Sequence, residues 1–102
     1  MKKIEGTVDN FDELIKGDFV LVKFFATWCG PCKMLTPIVE EVVEEMDVNL
    51  VEVDIDNSVE IASRYAVMSV PTMMIFKKGE LVSSNIGFIP KETLQKWIAE
   101  NK

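Results

Sequence analysis

The segment FVLVKFFATWCGPC (residues 19–32) joins a long apolar run to the two cysteines of this sequence. Residues 19–26 are nearly all apolar and rich in β-branched and aromatic side chains. Because they do not alternate with polar residues, they predict a strand that is covered on both faces, as in a mainly parallel sheet. The cysteines follow at the carboxyl end of this strand, where open α/β sheets place their functional sites.

A long helix is predicted over residues 31–46, where apolar side chains recur at helical spacing. Pro37 lies inside this helix and should kink it, because its ring displaces a carbonyl one turn back. Shorter helices are predicted after Asn10, which together with Glu13 resembles a capping box, and over residues 57–65.

The remaining strands are predicted at residues 49–55 and in a hairpin of residues 72–77 and 80–87. Pro90 suits the first turn of a final helix. With a short amino-terminal strand, the order of elements becomes β-α-β-α-β-α-β-β-α. This order predicts an α/β fold, a three-layer sandwich in which helices flank a central mixed sheet. The length suits a single domain over residues 1–102.

The charge balance limits the partners that this protein can bind. The sequence has 11 basic and 17 acidic residues, a net charge of −6, so a nucleic acid or an anionic membrane would be repelled. It has no histidine, which is the commonest metal ligand. No apolar run approaches the roughly 18–20 residues of a membrane span, and the first residues do not resemble a signal peptide. We therefore expect a cytoplasmic protein with no nucleic-acid or membrane partner.

Three interpretations of the cysteine pair compete. A closed zinc site needs about four ligands, so two thiols would require a second chain or recruited carboxylates. A structural staple would contribute little in the chain-entropy model, because the loop between Cys29 and Cys32 is very short. A redox pair agrees best with a position between a buried strand and a helix, and a reducing compartment also favours it.

On the redox interpretation the two cysteines have different tasks. Cys29 lies near the amino terminus of the helix, whose free N–H groups and dipole favour a thiolate. Cys32 is expected on the same face and more buried than Cys29. Cys29 would attack a substrate disulfide, and Cys32 would resolve the mixed disulfide. Gly30 lets the backbone come close, and Pro31 fixes φ so that the sulfurs stay within bonding range.

WCGPC (residues 28–32), the Val70-Pro71-Thr72 turn and the stretch around Gly87 together resemble the thioredoxin family, over essentially the whole chain. The resemblance implies one thioredoxin domain with general protein dithiol–disulfide oxidoreductase activity. It also implies a monomer without a bound cofactor, disulfide-containing client proteins as substrates and a thioredoxin reductase as electron donor. The Val70–Pro71 peptide should be cis and face the cysteines. The residues expected to line a shallow apolar substrate groove are Trp28, Gly30, Pro31, Val70, Pro71 and Gly87.

Two alternatives remain beside a reductase. Within the same chemistry the protein could be an oxidase or an isomerase, although Gly-Pro between the cysteines is more similar to the reducing members of the family. From another class, the domain could be a binding module or a stabilising subunit of a larger enzyme.

Lys23 departs from the family pattern, because many thioredoxins have a buried aspartate at this position that is credited with taking the proton of the resolving cysteine. Glu52, on the strand expected alongside, is at a position where some members have a lysine. We hypothesise that acid and base have exchanged strands. Glu52, or a water on it, would then accept the Cys32 proton, and Lys23 would stabilise the thiolate. The alternative is that Lys23 extends to solvent and Glu52 is a surface charge.

Overall fold

The computed structural model describes residues 3–102, and the elements of this part follow the predicted order. In chain order they are β1 (Lys3–Glu5), α1 (Phe11–Leu14), β2 (Val20–Phe25), α2 (Gly30–Met46), β3 (Asn49–Asp54), α3 (Val59–Arg64), β4 (Thr72–Lys77), β5 (Glu80–Ile86) and α4 (Lys91–Asn101). The predicted β-α-β-α-β-α-β-β-α succession is therefore confirmed.

The five strands form one mixed sheet in the order β1-β3-β2-β4-β5. β3 pairs in parallel with both β1 and β2, whereas β4 is antiparallel to both β2 and β5. β2 is the central strand, and its first five residues are buried. This explains why every residue of β2 except Lys23 is apolar, because a strand with neighbours on both edges and helices on both faces has no solvent-exposed side for polar residues.

Two separate apolar cores cover the two faces of the sheet. On one face Leu21 of β2 packs with Val39 of α2 and Leu94 of α4. On the other face Val22, the next residue of β2, packs with Phe11 of α1 and other apolar residues. Because successive side chains of a strand point to opposite faces, β2 contributes to both cores. The three-layer sandwich follows from this alternation.

Helix α2 begins directly after the short loop that follows β2 and carries the redox sequence in its first turn. Cys29 is its N-cap residue, with an extended backbone, and Pro37 lies inside the helix as the sequence indicated. The helix ends where Asp47 adopts a left-handed conformation with φ of 53°. No helix among residues 3–102 is both long enough and apolar enough to cross a membrane.

The predicted capping box at Asn10 is wrong. The Asn10 side chain makes no cap of α1; its Oδ1 accepts a hydrogen bond from the N–H of Thr7 at 2.6 Å, and its Nδ2 donates to the carbonyl of Glu5 at 3.1 Å. Glu13 instead pairs with Lys16. The reason is that Asn10 closes the turn between β1 and α1, which occupies the oxygen that a cap would need.

Candidate active site

The two cysteines form a disulfide at the start of α2, with their Cα atoms 5.3 Å apart. The sulfur of Cys29 accepts a hydrogen bond from the main-chain N–H of Cys32 at 3.2 Å. An N–H group at a helix amino terminus stabilises negative charge, so the same contact favours a Cys29 thiolate once the disulfide is reduced. Within residues 3–102, no group of three or more Cys, Asp or Glu side chains is arranged to hold a metal ion.

The expected difference in burial between the two cysteines is absent in this disulfide form. Cys29 is 4% exposed and Cys32 is 3% exposed. Both pack with Ala26 against side chains that include Ile55 and Val70, so the sulfur of Cys29 has protein on several sides. The prediction that Cys32 is clearly the more buried cysteine is therefore wrong, because it treated the helix end as open to solvent.

The Val70–Pro71 peptide faces the disulfide and is cis, as the resemblance implies. The carbonyl oxygen of Val70 lies 3.6 Å from the sulfur of Cys29. Gly87, with a φ of +96°, donates its N–H to the carbonyl of Pro71 at 2.8 Å. Since a φ in this region favours glycine, Gly87 suits the start of the loop that follows β5, where its N–H binds the Pro71 segment.

Trp28 forms an exposed apolar rim beside the disulfide and is not part of the core. It is 68% exposed, and its Nε1 donates to a carboxylate oxygen of Asp56 at 2.9 Å, which fixes the ring. Gly30 is open, since a Cβ atom at this position would meet nothing within 4 Å. The loop around the cysteines therefore presents a broad indole and bare backbone to solvent.

A second apolar rim lies on the Val70 side. Met68 and Ile86 are both exposed, and they line a cavity of about 210 Å³ together with Ser69 and Thr72. Met68, Ile86 and the role of Asp56 were not predicted from the sequence. Met68 comes two residues before Val70 and Ile86 directly precedes Gly87, so large apolar side chains next to the predicted groove positions could have identified two of them.

Lys23 and Glu52 lie opposite each other in the register of β2 and β3. The Lys23 Nζ atom is 3.0 Å from a carboxylate oxygen of Glu52. Lys23 is 1% exposed, whereas the Glu52 side chain is 16% exposed. Lys23 therefore does not extend to solvent, and Glu52 provides the partner that a buried ammonium requires.

The Glu52 carboxylate also has a partner nearer the surface. Its other oxygen is 3.5 Å from the Nζ of Lys3, which forms a second ion pair with Glu40. The hydrogen bond to Glu40 raises the pKa of Lys3 above its ordinary 10.5, against the lowering effect of burial, and the charge of Glu52 adds to the rise. Glu52 is thus held between a buried cation and an exposed one.

Comparison with known proteins identifies the family. The thioredoxin family model matches residues 2–100. The chain belongs to the thioredoxin family. It is 42% identical to thioredoxin of Staphylococcus saprophyticus, over 99% of both chains, and 41% identical to thioredoxin of Bacillus subtilis, over 96% of both. A single-residue mutant of thioredoxin from Halobacterium salinarum has the same fold, with a TM-score of 0.91 and 34% identity over 97% of this chain and 89% of that one.

Membership of the thioredoxin family, together with the Cys29–Cys32 disulfide, makes the protein a dithiol–disulfide oxidoreductase. Its redox group is built from the chain itself. The α/β architecture with a mixed sheet is the thioredoxin fold, which the sequence predicted.

Thr36 is a residue near the thioredoxin-type disulfide that was not predicted from the sequence. Its hydroxyl accepts a hydrogen bond from the Nζ of Lys23 at 2.8 Å and donates one to the carbonyl of Cys32 at 2.9 Å. The signal was available, because Thr36 comes four residues after Cys32 in a predicted helix and lies one turn along the same face. It connects the buried ion pair to the redox turn.

Proposed function

We propose that this protein is a general protein disulfide reductase in which Cys29 is the nucleophile and Cys32 the resolving cysteine. One observation carries the proposal. The Cys29 sulfur is at the N-cap of α2, accepts the Cys32 N–H and lies beside the Val70 carbonyl. A sulfur so placed gains stabilisation as an anion and is next to a main-chain edge that an extended client segment can pair with.

The reaction takes place in two exchange steps. The Cys29 thiolate of the reduced protein attacks one sulfur of a client disulfide, so that a Cys29–client bond forms and one client thiolate leaves. The Cys32 sulfur, after losing its proton, then attacks the Cys29 sulfur and releases the second client thiolate. Two electrons pass to the client, and the Cys29–Cys32 disulfide seen in this structure is the oxidised product.

The client would lie across the cysteines, between the loop that carries Trp28 and the segment that carries Val70. Trp28, Gly30 and Pro31 form the loop on one side, and the exposed indole of Trp28 supports this assignment. Val70, Pro71 and Gly87 form the other side, where the Val70 carbonyl is a main-chain acceptor beside the disulfide. Main-chain pairing and shape would determine binding, which suits a reductase that accepts many clients.

Lys23 and Glu52 would adjust the reactivity of the two cysteines from the buried side of the disulfide. The ammonium of Lys23 favours negative charge on the sulfurs above it. Glu52, or a water on it, would accept the proton of Cys32 during the second step. Support comes from the 3.0 Å contact within the pair and from the link through Thr36 to Cys32.

The protein would act as a monomeric single domain over residues 1–102 in the cytoplasm, with disulfide-containing proteins as clients and no additional cofactor. A thioredoxin reductase would return two electrons to the Cys29–Cys32 disulfide. The net charge of −6 supports the absence of nucleic-acid and anionic-membrane partners.

Insulin reduction with dithiothreitol as electron source tests the activity. The wild-type protein should reduce insulin catalytically, and Cys29→Ser should reduce it no faster than dithiothreitol alone. Cys32→Ser should attack once and accumulate the mixed disulfide, visible as an increase in mass. An active Cys29→Ser variant, or a wild-type protein that leaves insulin unreduced, would refute the assignment.

The reduction potential separates a reductase from the oxidase and isomerase alternatives. It can be measured by equilibration with dithiothreitol and glutathione buffers. A potential well below that of glutathione-type oxidants supports the reductase, whereas a value close to theirs would make the protein an oxidant.

A further inference from the structure

Thr36 lies between the buried ion pair and the redox turn and is hydrogen-bonded to both. Lys23 Nζ donates to its hydroxyl oxygen at 2.8 Å, and the hydroxyl donates to the carbonyl of Cys32 at 2.9 Å. On the far side of Lys23, the Glu52 carboxylate is 3.0 Å from the same ammonium. These contacts form a continuous path from Glu52 to the main chain of the resolving cysteine.

The direction of the Thr36 hydrogen bonds is fixed by Lys23. An ammonium group has donors only, so the threonine oxygen must act as the acceptor in that contact. The single hydroxyl proton is then directed at the Cys32 carbonyl. Since Lys23 is almost fully buried, bulk water competes little for its ammonium group. The charge of Lys23 therefore orients a dipole at the backbone of Cys32.

The hydrogen bond to Cys32 occurs where α2 is weakened. Pro37 has no N–H, so the carbonyl of Lys33 lacks its usual helical donor four residues along the chain. The turn that carries Cys32 is consequently joined to the rest of the helix by one hydrogen bond fewer. The Thr36 side chain supplies an additional bond to this turn.

We propose that Thr36 is a positioning residue for thiol–disulfide exchange, which, oriented by Lys23, holds the backbone of Cys32 so that its sulfur can attack the Cys29 mixed disulfide. This inference rests on the proposed roles of Cys29 as attacking and Cys32 as resolving cysteine. It assigns to Thr36 an effect on the second step. The first step should be nearly unaffected, because the sulfur of Cys29 is stabilised by the N–H of Cys32 and not by its carbonyl.

An aromatic disulfide separates the two steps in one experiment. When the reduced protein attacks such a reagent, the Cys29 sulfur bonds to one aryl sulfur and the first coloured aryl thiolate leaves. When the deprotonated Cys32 sulfur attacks Cys29, the second aryl thiolate leaves and the protein disulfide forms. The two phases are measured by stopped-flow absorbance with dithiobis(nitrobenzoate). The reagent concentration is high enough that the first phase is complete before the second, so that both rate constants are obtained.

The informative variants are Thr36→Val, which keeps the shape and removes the hydroxyl, and Thr36→Ser, which restores it. We expect Thr36→Val to slow the second phase about tenfold, with the first phase changed less than about twofold. Thr36→Ser should return the second phase to near its wild-type rate. Thr93→Val is the matched control, because Thr93 is an exposed threonine of α4 far along the chain from the redox turn.

A merely structural role of Thr36 would not depend on the charge of Lys23, so a double-mutant cycle separates the two roles. If Lys23 acts through Thr36, Lys23→Met should slow that phase too, and adding Thr36→Val to Lys23→Met should produce little further slowing. Where Thr36→Val proves too unstable to assay, Thr36→Ala, a residue that helices accept well, makes the same test.

Each outcome decides a specific point. An unchanged second phase in Thr36→Val, or equal slowing of both phases, overturns the positioning role while leaving the two-step mechanism intact. Failure of Thr36→Ser to restore the rate also overturns it. A wild-type protein that releases no first aryl thiolate would instead refute the assignment of Cys29 as nucleophile.

Discussion

The two sides of the Cys29–Cys32 disulfide differ in chemistry and in access to solvent. Its outer side is apolar and open: Trp28 is 68% exposed, and Met68 and Ile86 are also exposed. Its inner side is charged and closed, with an almost fully buried lysine paired to Glu52. We infer that recognition and chemistry are separated across the disulfide. Outer residues should affect the binding of protein clients, and inner residues should affect the exchange reaction with every disulfide.

Glu52→Gln should have the largest effect, because it leaves a buried ammonium without its counter-charge. Breaking one partner of a buried pair costs about 3 kcal/mol of unfolding free energy, measured by urea unfolding. We also expect slower reduction of protein and small-molecule disulfides alike, together with altered proton release from Cys32 in a thiol titration.

The control for this prediction removes both charges. Lys23→Met in the Glu52→Gln background should recover much of the lost stability, because no unpaired charge then remains. Glu40→Gln, which removes the exposed partner of Lys3, should have a far smaller effect. If Glu52→Gln is as stable as the wild type and releases the Cys32 proton normally, the inner side does not have the proposed role.

Trp28→Ala should have an intermediate effect confined to protein clients. The indole is mostly exposed and provides much of the outer rim, so we expect kcat/KM for insulin to fall about tenfold, mainly through KM. The rate with dithiobis(nitrobenzoate) should change little, because so small a reagent can reach the Cys29 sulfur without binding to the Trp28 side chain. Steady-state kinetics with both substrates test this.

Trp28→Phe provides the matched comparison for the outer side, since it keeps an aromatic ring and loses the hydrogen bond to Asp56. It should retain most of the insulin activity. Should Trp28→Ala slow both substrates to the same degree, the outer rim would contribute to the chemistry itself, and the separation between the two sides would be lost.

The same two sides differ in how much of them the sequence could predict. The opposition of Lys23 and Glu52 was accessible because the resemblance to the thioredoxin family places the two residues on neighbouring strands, and they lie in register in the structure. The spacing of Thr36 from Cys32 indicated that the two residues are close, but the contact of Thr36 with Lys23 depends on side-chain geometry that apolar periodicity does not encode. The deep burial of Cys29 was missed because it depends on the Val70 segment, which is remote in sequence.

Short sequence motifs were least informative where several hydrogen-bond donors compete for one side-chain oxygen. Asn10 and Glu13 have the spacing of a capping box, yet the Asn10 oxygen binds the N–H of Thr7 instead. α1 is only four residues long, so a cap has few helical hydrogen bonds to support. In contrast, the non-alternating run of residues 19–26 correctly predicted a strand that is covered on both faces, because burial on both faces favours apolar residues at successive positions.

Lys3→Gln should have the smallest effect and tests where the inner network ends. Lys3 pairs with Glu40 and Glu52 at the surface, and its pKa is raised in the folded protein, mainly by Glu40. Its stabilising contribution is therefore fully present below its ordinary pKa of 10.5 and is lost as the pH rises through the raised value. Because the side chain is 42% exposed, solvent screens the pair and the contribution should be about 0.5 kcal/mol or less.

Urea unfolding of the wild type and Lys3→Gln at neutral pH and above the lysine range measures this contribution. The two proteins should differ slightly at neutral pH and converge at high pH. Exchange rates with small disulfides should be equal throughout, because Lys3 contacts Glu52 on the side away from Lys23 and has no path of its own to Cys32 among the contacts described. A large loss of exchange rate in Lys3→Gln would mean that the inner side extends to the surface, and that both Lys3 and Lys23 control the effect of Glu52 on the exchange reaction.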